Sequence, residues 1–176
     1  MSAPETPAAR RAANEALREG VRAADAGDWA KAAELLRRAQ AARLDNPVVA
    51  ARLTKALLHL GRHREALAAA LAEVRLSPAN PVTLKRALAL FLRWGAGPEE
   101  RKQADVLARQ AAQATPDDAR VLGLAALLLW RAGKVQACVE VARRAHALEP
   151  DNTAAIVAYA DALSATGRAQ EALPLH

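Results

Sequence analysis

The amino-acid sequence predicts an all-α fold, a right-handed α-solenoid of about four and a half stacked helix-turn-helix repeats. Two periodic features predict it. Glycines that each close a helix-like apolar stretch recur at intervals of 34, 34, 38 and 34 residues, and residues suited to starting a helix recur between them. The glycines are Gly27, Gly61, Gly95, Gly133 and Gly167.

Each repeat is predicted to start at a residue pair that can cap a helix. An asparagine or aspartate side chain accepts hydrogen bonds from free amides of the first turn, and a following proline needs no amide partner there. We expect the glycines, about midway between the pairs, to be left-handed residues that end one helix and reverse the chain into the next. The pairs are Asn46-Pro47, Asn80-Pro81, Asp117-Asp118 and Asp151-Asn152.

These markers divide the chain into repeats. The first helix is predicted to begin near Thr6-Pro7, with residues 1–5 frayed, so that residues 1–12 form an N-terminal extension of that helix. The solenoid then covers residues 13–176. Its predicted repeats are 13–46, 47–80, 81–118, 119–152 and an incomplete 153–176.

The third repeat is longer than the others. It contains four extra residues between Gly95 and Ala104. Pro98 suits a first helical position, and the carboxylates of Glu99 and Glu100 are favourable at the positive end of a helix. We therefore expect its second helix to gain about one turn at its start.

The composition suits a soluble helical core. Of the 176 residues, 52% are hydrophobic and 3% are aromatic, and the single cysteine, Cys138, cannot form an intramolecular disulfide. Alanine and leucine, both strong helix formers, therefore make up most of the core. The N-terminal segment lacks the apolar centre of a signal peptide and no stretch approaches a membrane span, which predicts a cytoplasmic protein without membrane contact.

The chain is basic, with a formal net charge of +6 and a pI of about 10.2. Such a charge invites nucleic-acid binding, because cations that neutralise phosphates release counterions. Here, however, carboxylates lie between the basic residues of most helices, and no aromatic platform accompanies them. A nucleic-acid partner is therefore disfavoured.

Small side chains recur at two positions of the second helix of each repeat, and a proline closes three repeats. This pattern covers nearly the whole chain and resembles the tetratricopeptide repeat family. The chain departs from the family at Glu19-Gly20, where a Leu-Gly pair is usual, and most family aromatics are replaced by alanine or leucine. The small residues are Ala32, Ala39, Ala66, Ala104, Ala111, Cys138 and Ala145, with Glu73 in one such place; the prolines are Pro78, Pro116 and Pro150, with Leu44 in the first repeat.

The physical sense of this pattern is close helix packing. A small side chain lets two helix axes approach, and large apolar residues of the neighbouring helix fill the adjoining space. The expected large partners on the first helices are Leu53, Leu57, Leu84, Phe91, Leu122, Leu129, Ile156 and Leu163.

The sequence contains no catalytic constellation and no cofactor site. His59 and His63 have a spacing that suits metal ligation on one helix, but Gly61 lies between them at a predicted turn. Cys138 stands in a small-residue position, which predicts a buried packing thiol rather than a nucleophile. We predict a non-enzymatic protein without a metal or a cofactor.

The resemblance implies that the first helices line a concave groove that receives a peptide or a partner helix. Repeat alignment places basic residues and an apolar end in this groove, which favours an acidic protein segment or a chain-terminal carboxylate. The alternative is that these cations only solvate an open face. The groove residues are Arg52, Lys55, His59, Lys85, Arg86, Leu92, Arg93, Arg120, Leu127, Trp130 and Arg131.

One subgroup of the family clamps the terminal carboxylates of chaperones with lysine, arginine and asparagine side chains. Here Lys85 is followed one turn later by Ala89, Arg86 is adjacent instead, and the asparagines are missing. This mode is therefore disfavoured.

The predicted function is a protein-interaction scaffold. Two alternatives stay open. The chain is also compatible with an N-terminal regulatory or assembly module of a longer bacterial enzyme whose catalytic domain follows His176. A third hypothesis is self-association into a homo-oligomer, because the repeat that begins at residue 153 is unfinished and would expose its apolar face.

Overall fold

The computed structural model describes residues 7–42, 46–95 and 97–172, and these residues form helices and turns without a strand. None of the described helices is both long and apolar enough to cross a membrane. The expectations for residues 1–5, for Leu44 and for the segment from Leu173 to His176 fall outside this part of the chain. The helices are α1 Pro7–Asp25, α2 Trp29–Ala41, α3 Pro47–His59, α4 His63–Leu76, α5 Pro81–Trp94, α6 Pro98–Ala114, α7 Ala119–Arg131, α8 Val135–Leu148, α9 Thr153–Ala165 and α10 Ala169–Ala172.

The chain divides after Ser77 into two compact units. In unit one, α1 contacts α2 and α3, while α3 also packs against α2 and α4. In unit two, α7 contacts α5, α6, α8 and α9, and α9 also packs against α8 and α10. We call α1, α3, α5, α7 and α9 the first helices, and the helices that follow them the second helices. The repeat boundaries within residues 13–176 and the extension at residues 1–12 stay predictions.

The predicted helix caps are confirmed. In each predicted pair, one asparagine or aspartate side chain accepts a hydrogen bond from a backbone amide of the first turn, and at the two acidic pairs it is the second residue that does so. The structure adds one cap that the sequence did not single out, because Asp28 accepts from the Lys31 amide at 3.1 Å. The predicted caps and their donors are Asn46–Val48 at 2.9 Å, Asn80–Val82 at 2.9 Å, Asp118–Val121 at 3.0 Å and Asn152–Ala155 at 3.0 Å.

Four of the five periodic glycines are left-handed, but Gly95 is not. Gly27, Gly61, Gly133 and Gly167 have φ between 69° and 79°, whereas Gly95 has φ of −86°. Gly95 is the C-cap residue of α5 itself, whereas the glycine after α3, α7 or α9 follows the C-cap by one position. The left-handed residue of a helix terminus is the one after the C-cap. The prediction is therefore wrong at Gly95.

Gly95 is instead placed where a side chain has no room. A Cβ there would lie 2.7 Å from Cδ1 of Phe91, which fills the core beneath it. The expected lengthening of the second helix in this repeat is confirmed, because α6 has 17 residues and α4 and α8 have 14 each. The longer helix begins at Pro98, as predicted.

The small positions of the second helices are buried, as predicted. Ala32, Ala66 and Ala111 are fully inaccessible, and Glu73 is buried as well. The large residues expected on the first helices are also buried, with the exception of Ile156, which is half-buried. Burying apolar surface stabilises a fold by about 25 cal/mol per Å², so these interfaces supply most of the stability of each unit.

An ion-pair cluster joins the two second helices of unit one. Glu65 on α4 accepts hydrogen bonds from Arg62, with Nε 2.6 Å from Oε1, and from Arg37 on α2. The hydrogen bond from Arg62, with added attraction from Arg37, holds the pKa of Glu65 below its ordinary value. Because all three groups are solvent-accessible, salt screens this cluster and its contribution to stability is small.

Enlarging a small second-helix position tests the packing account. We expect Ala66→Leu to lower the free energy of unfolding by about 1 to 3 kcal/mol, because the added carbons overpack the interface with the first helices. Ala68, exposed on the same helix, is the matched control, and Ala68→Leu should change that free energy by less than about 0.5 kcal/mol. Urea titration followed by circular dichroism measures both. Equal midpoints for the two variants would contradict close packing at Ala66.

Cys138 is the buried packing residue that its position predicts. Its side chain is inaccessible, and Sγ lies 3.4 Å from the carbonyl oxygen of Ala158 on α9. Burial, with a smaller effect from the charge of Asp161, raises the pKa of the thiol to about 12. The thiol is therefore neutral at physiological pH, and the nucleophilic thiolate is absent.

The thiol should be unreactive in the folded protein. With a pKa of about 12, only about one thiol in ten thousand is ionised at pH 8, and the side chain is shielded as well. We expect modification by a disulfide reagent at pH 8 to be at least about 100-fold slower in the native protein than in urea, where the pKa returns to about 8.5. Comparable rates in the two solutions would contradict the buried placement.

Candidate functional site

Three of the first helices, α3, α5 and α7, lack carboxylates, whereas α1 and α9 contain them. The second helices α2, α4, α6 and α8 each contain carboxylates as well as cations. In contrast, α3 and α5 contain lysine and arginine, α7 contains arginine, and none of the three contains aspartate or glutamate. A cation that is not compensated by a carboxylate of the protein can attract an external anion, but Arg52 and Lys85 are paired with Asp25 and Asp118. The cations of these three helices are Arg52, Lys55, Lys85, Arg86, Arg93, Arg120 and Arg131.

In unit one, the predicted residues of α3 gather around Trp29. The ring of His59 stacks on the indole of Trp29, with ring centroids 3.8 Å apart and an angle of 3° between the planes. The ammonium of Lys55 lies 5.5 Å from the centroid of the same indole, within range of a cation–π interaction. Arg52 pairs with Asp25 of α1 at 3.4 Å. Trp29 also packs against the core of unit one.

In unit two, α5 and α7 are joined by an ion pair at their N-terminal ends. Lys85 Nζ lies 3.6 Å from Oδ2 of Asp118, the residue that caps α7. Arg120, in the first turn of α7, is exposed and forms no ion pair with a carboxylate of the described residues. Both cations line an open cavity of about 650 Å³, together with the carboxylates of Asp117, Asp118 and Glu149. The charge of Lys85 is therefore compensated by Asp118, and Arg120 shares the cavity with three carboxylates without pairing with one of them.

The C-terminal ends of α5 and α7 form a second cavity, of about 370 Å³. Arg131 of α7 donates a hydrogen bond to the backbone carbonyl of Leu92 on α5. Arg93 lines the same cavity, and its guanidinium carbon lies 5.0 Å from the ring centroid of Trp94. Arg101, at the start of α6, contributes a third guanidinium.

Apolar side chains occupy the stretch between these two ends. Along α7, Arg120, Leu124, Leu127 and Arg131 follow the spacing of one helix face. Leu124 and Leu127 are half-buried there, and so is Trp130, one turn from Leu127. The predicted groove residues of unit two are thus brought together as a strip with cations at both ends and apolar groups between them, and Arg86 is half-buried on α5.

Two features of this strip were not predicted from the sequence. The Lys85–Asp118 pair leaves Lys85 less available than its position in the sequence implied. Arg101 was missed because it belongs to a second helix, and only the fold brings it beside Arg93 and Arg131. Arg101 lies within the stretch from Gly95 to Ala104 that contains the four extra residues, from which the sequence predicted only a longer helix.

The histidine pair lies at a helix junction. His59 is the last residue of α3 and His63 the first of α4, with the left-handed Gly61 between them. His146 lies in the last turn of α8. Within residues 7–42, 46–95 and 97–172, no group of three or more histidine, cysteine, aspartate or glutamate side chains could hold a metal ion.

Comparison with known proteins supports the fold. A scan against protein-family models finds no match, and a search of curated proteins finds none either. Among solved structures, a crystal structure of MamA matches with a TM-score of 0.70 at 15% identity, over 93% of this chain and 87% of that one. MamA 41-end from Desulfovibrio magneticus RS-1 matches with a TM-score of 0.67 at 18% identity, over 93% and 90%.

A third solved structure carries a description of its repeat type. YrrB, described as a TPR protein with an unusual peptide-binding site, matches with a TM-score of 0.69 at 11% identity. The match covers 91% of this chain and 80% of YrrB. Together these likenesses show the predicted fold of stacked helix-turn-helix repeats.

Proposed function

We propose that this chain, which has the tetratricopeptide-repeat fold, is a non-catalytic protein-interaction module that binds an acidic segment of a partner protein along α5 and α7. The observation that carries the proposal is the charge composition of these neighbouring helices. Both contain arginine, neither contains a carboxylate, and half-buried apolar side chains lie between their charged ends. An acidic segment with an apolar residue complements such a strip.

The dimensions of the strip set the length of the segment. Arg120 and Arg131 are separated by eleven residues of α7, which corresponds to about 16 Å at 1.5 Å per residue. An extended peptide advances about 3.3 Å per residue, so five or six residues reach from one cationic end to the other. Leu124 and Leu127 are then opposite the middle of the segment, and Trp130 is next to its Arg131 end.

The solved relatives give independent support for the class of ligand. YrrB is described as having a peptide-binding site, and a shared fold makes the same class of ligand a reasonable expectation here without fixing its location. In unit one, Lys55 and His59 beside Trp29 form a separate candidate contact of the same kind. The cytoplasmic location and the homo-oligomer contact through the last repeat stay predictions.

Charge reversal on the first helices tests the proposal. The probes are labelled eight-residue peptides in which glutamate alternates with leucine or alanine, and counterparts with glutamine in place of glutamate; fluorescence anisotropy measures binding. We expect a preference for glutamate peptides of at least about 10-fold, or 1.4 kcal/mol, that weakens as salt screens the exposed charges. The variant Arg93→Glu, Arg120→Glu, Arg131→Glu should lose this preference.

A matched control variant distinguishes the effect of charge on α5 and α7 from the effect of net charge on peptide binding. Arg38→Glu, Arg64→Glu, Arg143→Glu changes the net charge equally, but these arginines are exposed on the second helices α2, α4 and α8. This control should retain the preference, and circular dichroism should show equal helicity in both variants. Equal loss of binding in the two variants would mean that only net charge attracts the peptides. Equal binding of glutamate and glutamine peptides by the wild type would overturn the proposal outright.

A further inference from the structure

The cavity at the C-terminal ends of α5 and α7 gathers three guanidinium groups without a carboxylate. Arg93, Arg101 and Arg131 come from three different helices, and all three line the cavity. None of them forms an ion pair with a carboxylate of the described residues. Elsewhere in unit two, Arg109 of α6 and Lys134, the residue before α8, both pair with Asp105. The local excess of positive charge is therefore a property of this cavity.

Two of the three guanidinium groups are held in place by neutral partners. Arg131 donates to the carbonyl oxygen of Leu92, and Arg93 lies over the ring of Trp94. A carbonyl and an aromatic face orient a guanidinium without cancelling its charge. The remaining N–H groups are therefore available to an anionic acceptor, and less side-chain freedom is lost when that acceptor binds.

The carboxylates nearest in sequence do not supply that acceptor. Glu99 and Glu100 occupy the first turn of α6, directly before Arg101. Glu99 pairs with Lys102 at 3.0 Å, and the carboxylate of Glu100 lies close to Gly97. Neither glutamate lines the cavity.

The lining of the cavity favours a ligand residue that has both a carboxylate group and aliphatic carbons. Guanidinium groups bind carboxylates through paired, charge-assisted hydrogen bonds. Leu92, Leu128 and Ala104 form the apolar part of the wall, against which the aliphatic carbons of the same residue can pack. A volume of about 370 Å³ is at the lower end of the range for ligand pockets, which suits one residue rather than a large ligand.

We infer that this cavity is a carboxylate-binding pocket in which Arg93, Arg101 and Arg131 together bind a single carboxylate of the partner segment. The inference rests on the proposed function, since the partner segment is the one bound along α5 and α7. The inference adds Arg101 of α6 to the proposed binding surface. It also places one contact with the partner at the C-terminal ends of α5 and α7. The carboxylate can come from a glutamate or aspartate side chain or from the C-terminus of the partner.

Peptides with a single carboxylate test the pocket. The probes are labelled five-residue peptides of glycine, serine and leucine in three forms: leucine-terminated with a free carboxylate, amidated with one glutamate, and amidated with one glutamine. We expect the wild type to bind at least one carboxylate form at least about 5-fold more tightly than the glutamine form, because only a carboxylate forms charge-assisted hydrogen bonds. Comparing the two carboxylate forms shows whether the pocket prefers a side-chain carboxylate or a C-terminal carboxylate.

Arg101→Gln should remove this discrimination, and Lys102→Gln is its matched control. Both substitutions remove one positive charge from adjacent exposed positions of α6, but Lys102 does not line the cavity. Discrimination below about 2-fold in Arg101→Gln, with the wild-type value kept in Lys102→Gln, supports the pocket. Undiminished discrimination in Arg101→Gln, equal loss in both variants, or no discrimination by the wild type would overturn it.

The two proposals fail in different ways. Arg101 is absent from the charge-reversal variant that tests the strip along α5 and α7. If the wild type prefers multi-glutamate peptides and Arg101→Gln binds both peptide sets as the wild type does, the pocket is wrong and the strip is retained. If the wild type shows no preference for multi-glutamate peptides, the proposed function itself is wrong.

Discussion

Buried small side chains that recur along the second helices α2, α4, α6 and α8 are the constraint on which the rest of the structure depends. Residues such as Ala32, Ala66, Ala111 and Cys138 are fully buried, and their size lets neighbouring helices approach closely enough for dense packing. The large apolar residues that fill the adjoining space come mainly from the first helices. The sizes of these side chains therefore determine how the first and second helices pack against each other.

This constraint also determines what the first helices can offer to a partner. Once α5 and α7 have buried Leu84, Phe91, Leu122 and Leu129, the side chains that remain accessible belong to a narrow face of each helix. That face contains arginine without carboxylates, and apolar groups that are only half-buried. The same helices thus supply both the core of unit two and a cationic surface.

Local chemistry explains which features were predictable from the sequence. The caps at Asn46 and Asn80 depend on residues two or three positions apart, so their pattern is visible in the chain. Gly95 was misassigned because the periodicity does not reveal that α5 runs one residue further and makes this glycine the C-cap. The Lys85–Asp118 pair and the placement of Arg101 depend on contacts between helices, which a single sequence does not specify.

The central claim is that the carboxylate-free faces of α5 and α7 form the binding surface. Backbone amide chemical shifts of the isotope-labelled protein, recorded while a glutamate–leucine peptide is added, test it most directly. The account predicts shifts concentrated on α5, α7 and the first turn of α6, largest near Arg93, Arg101 and Arg131. Shifts concentrated on α8, or spread evenly over the exposed second helices, would contradict it.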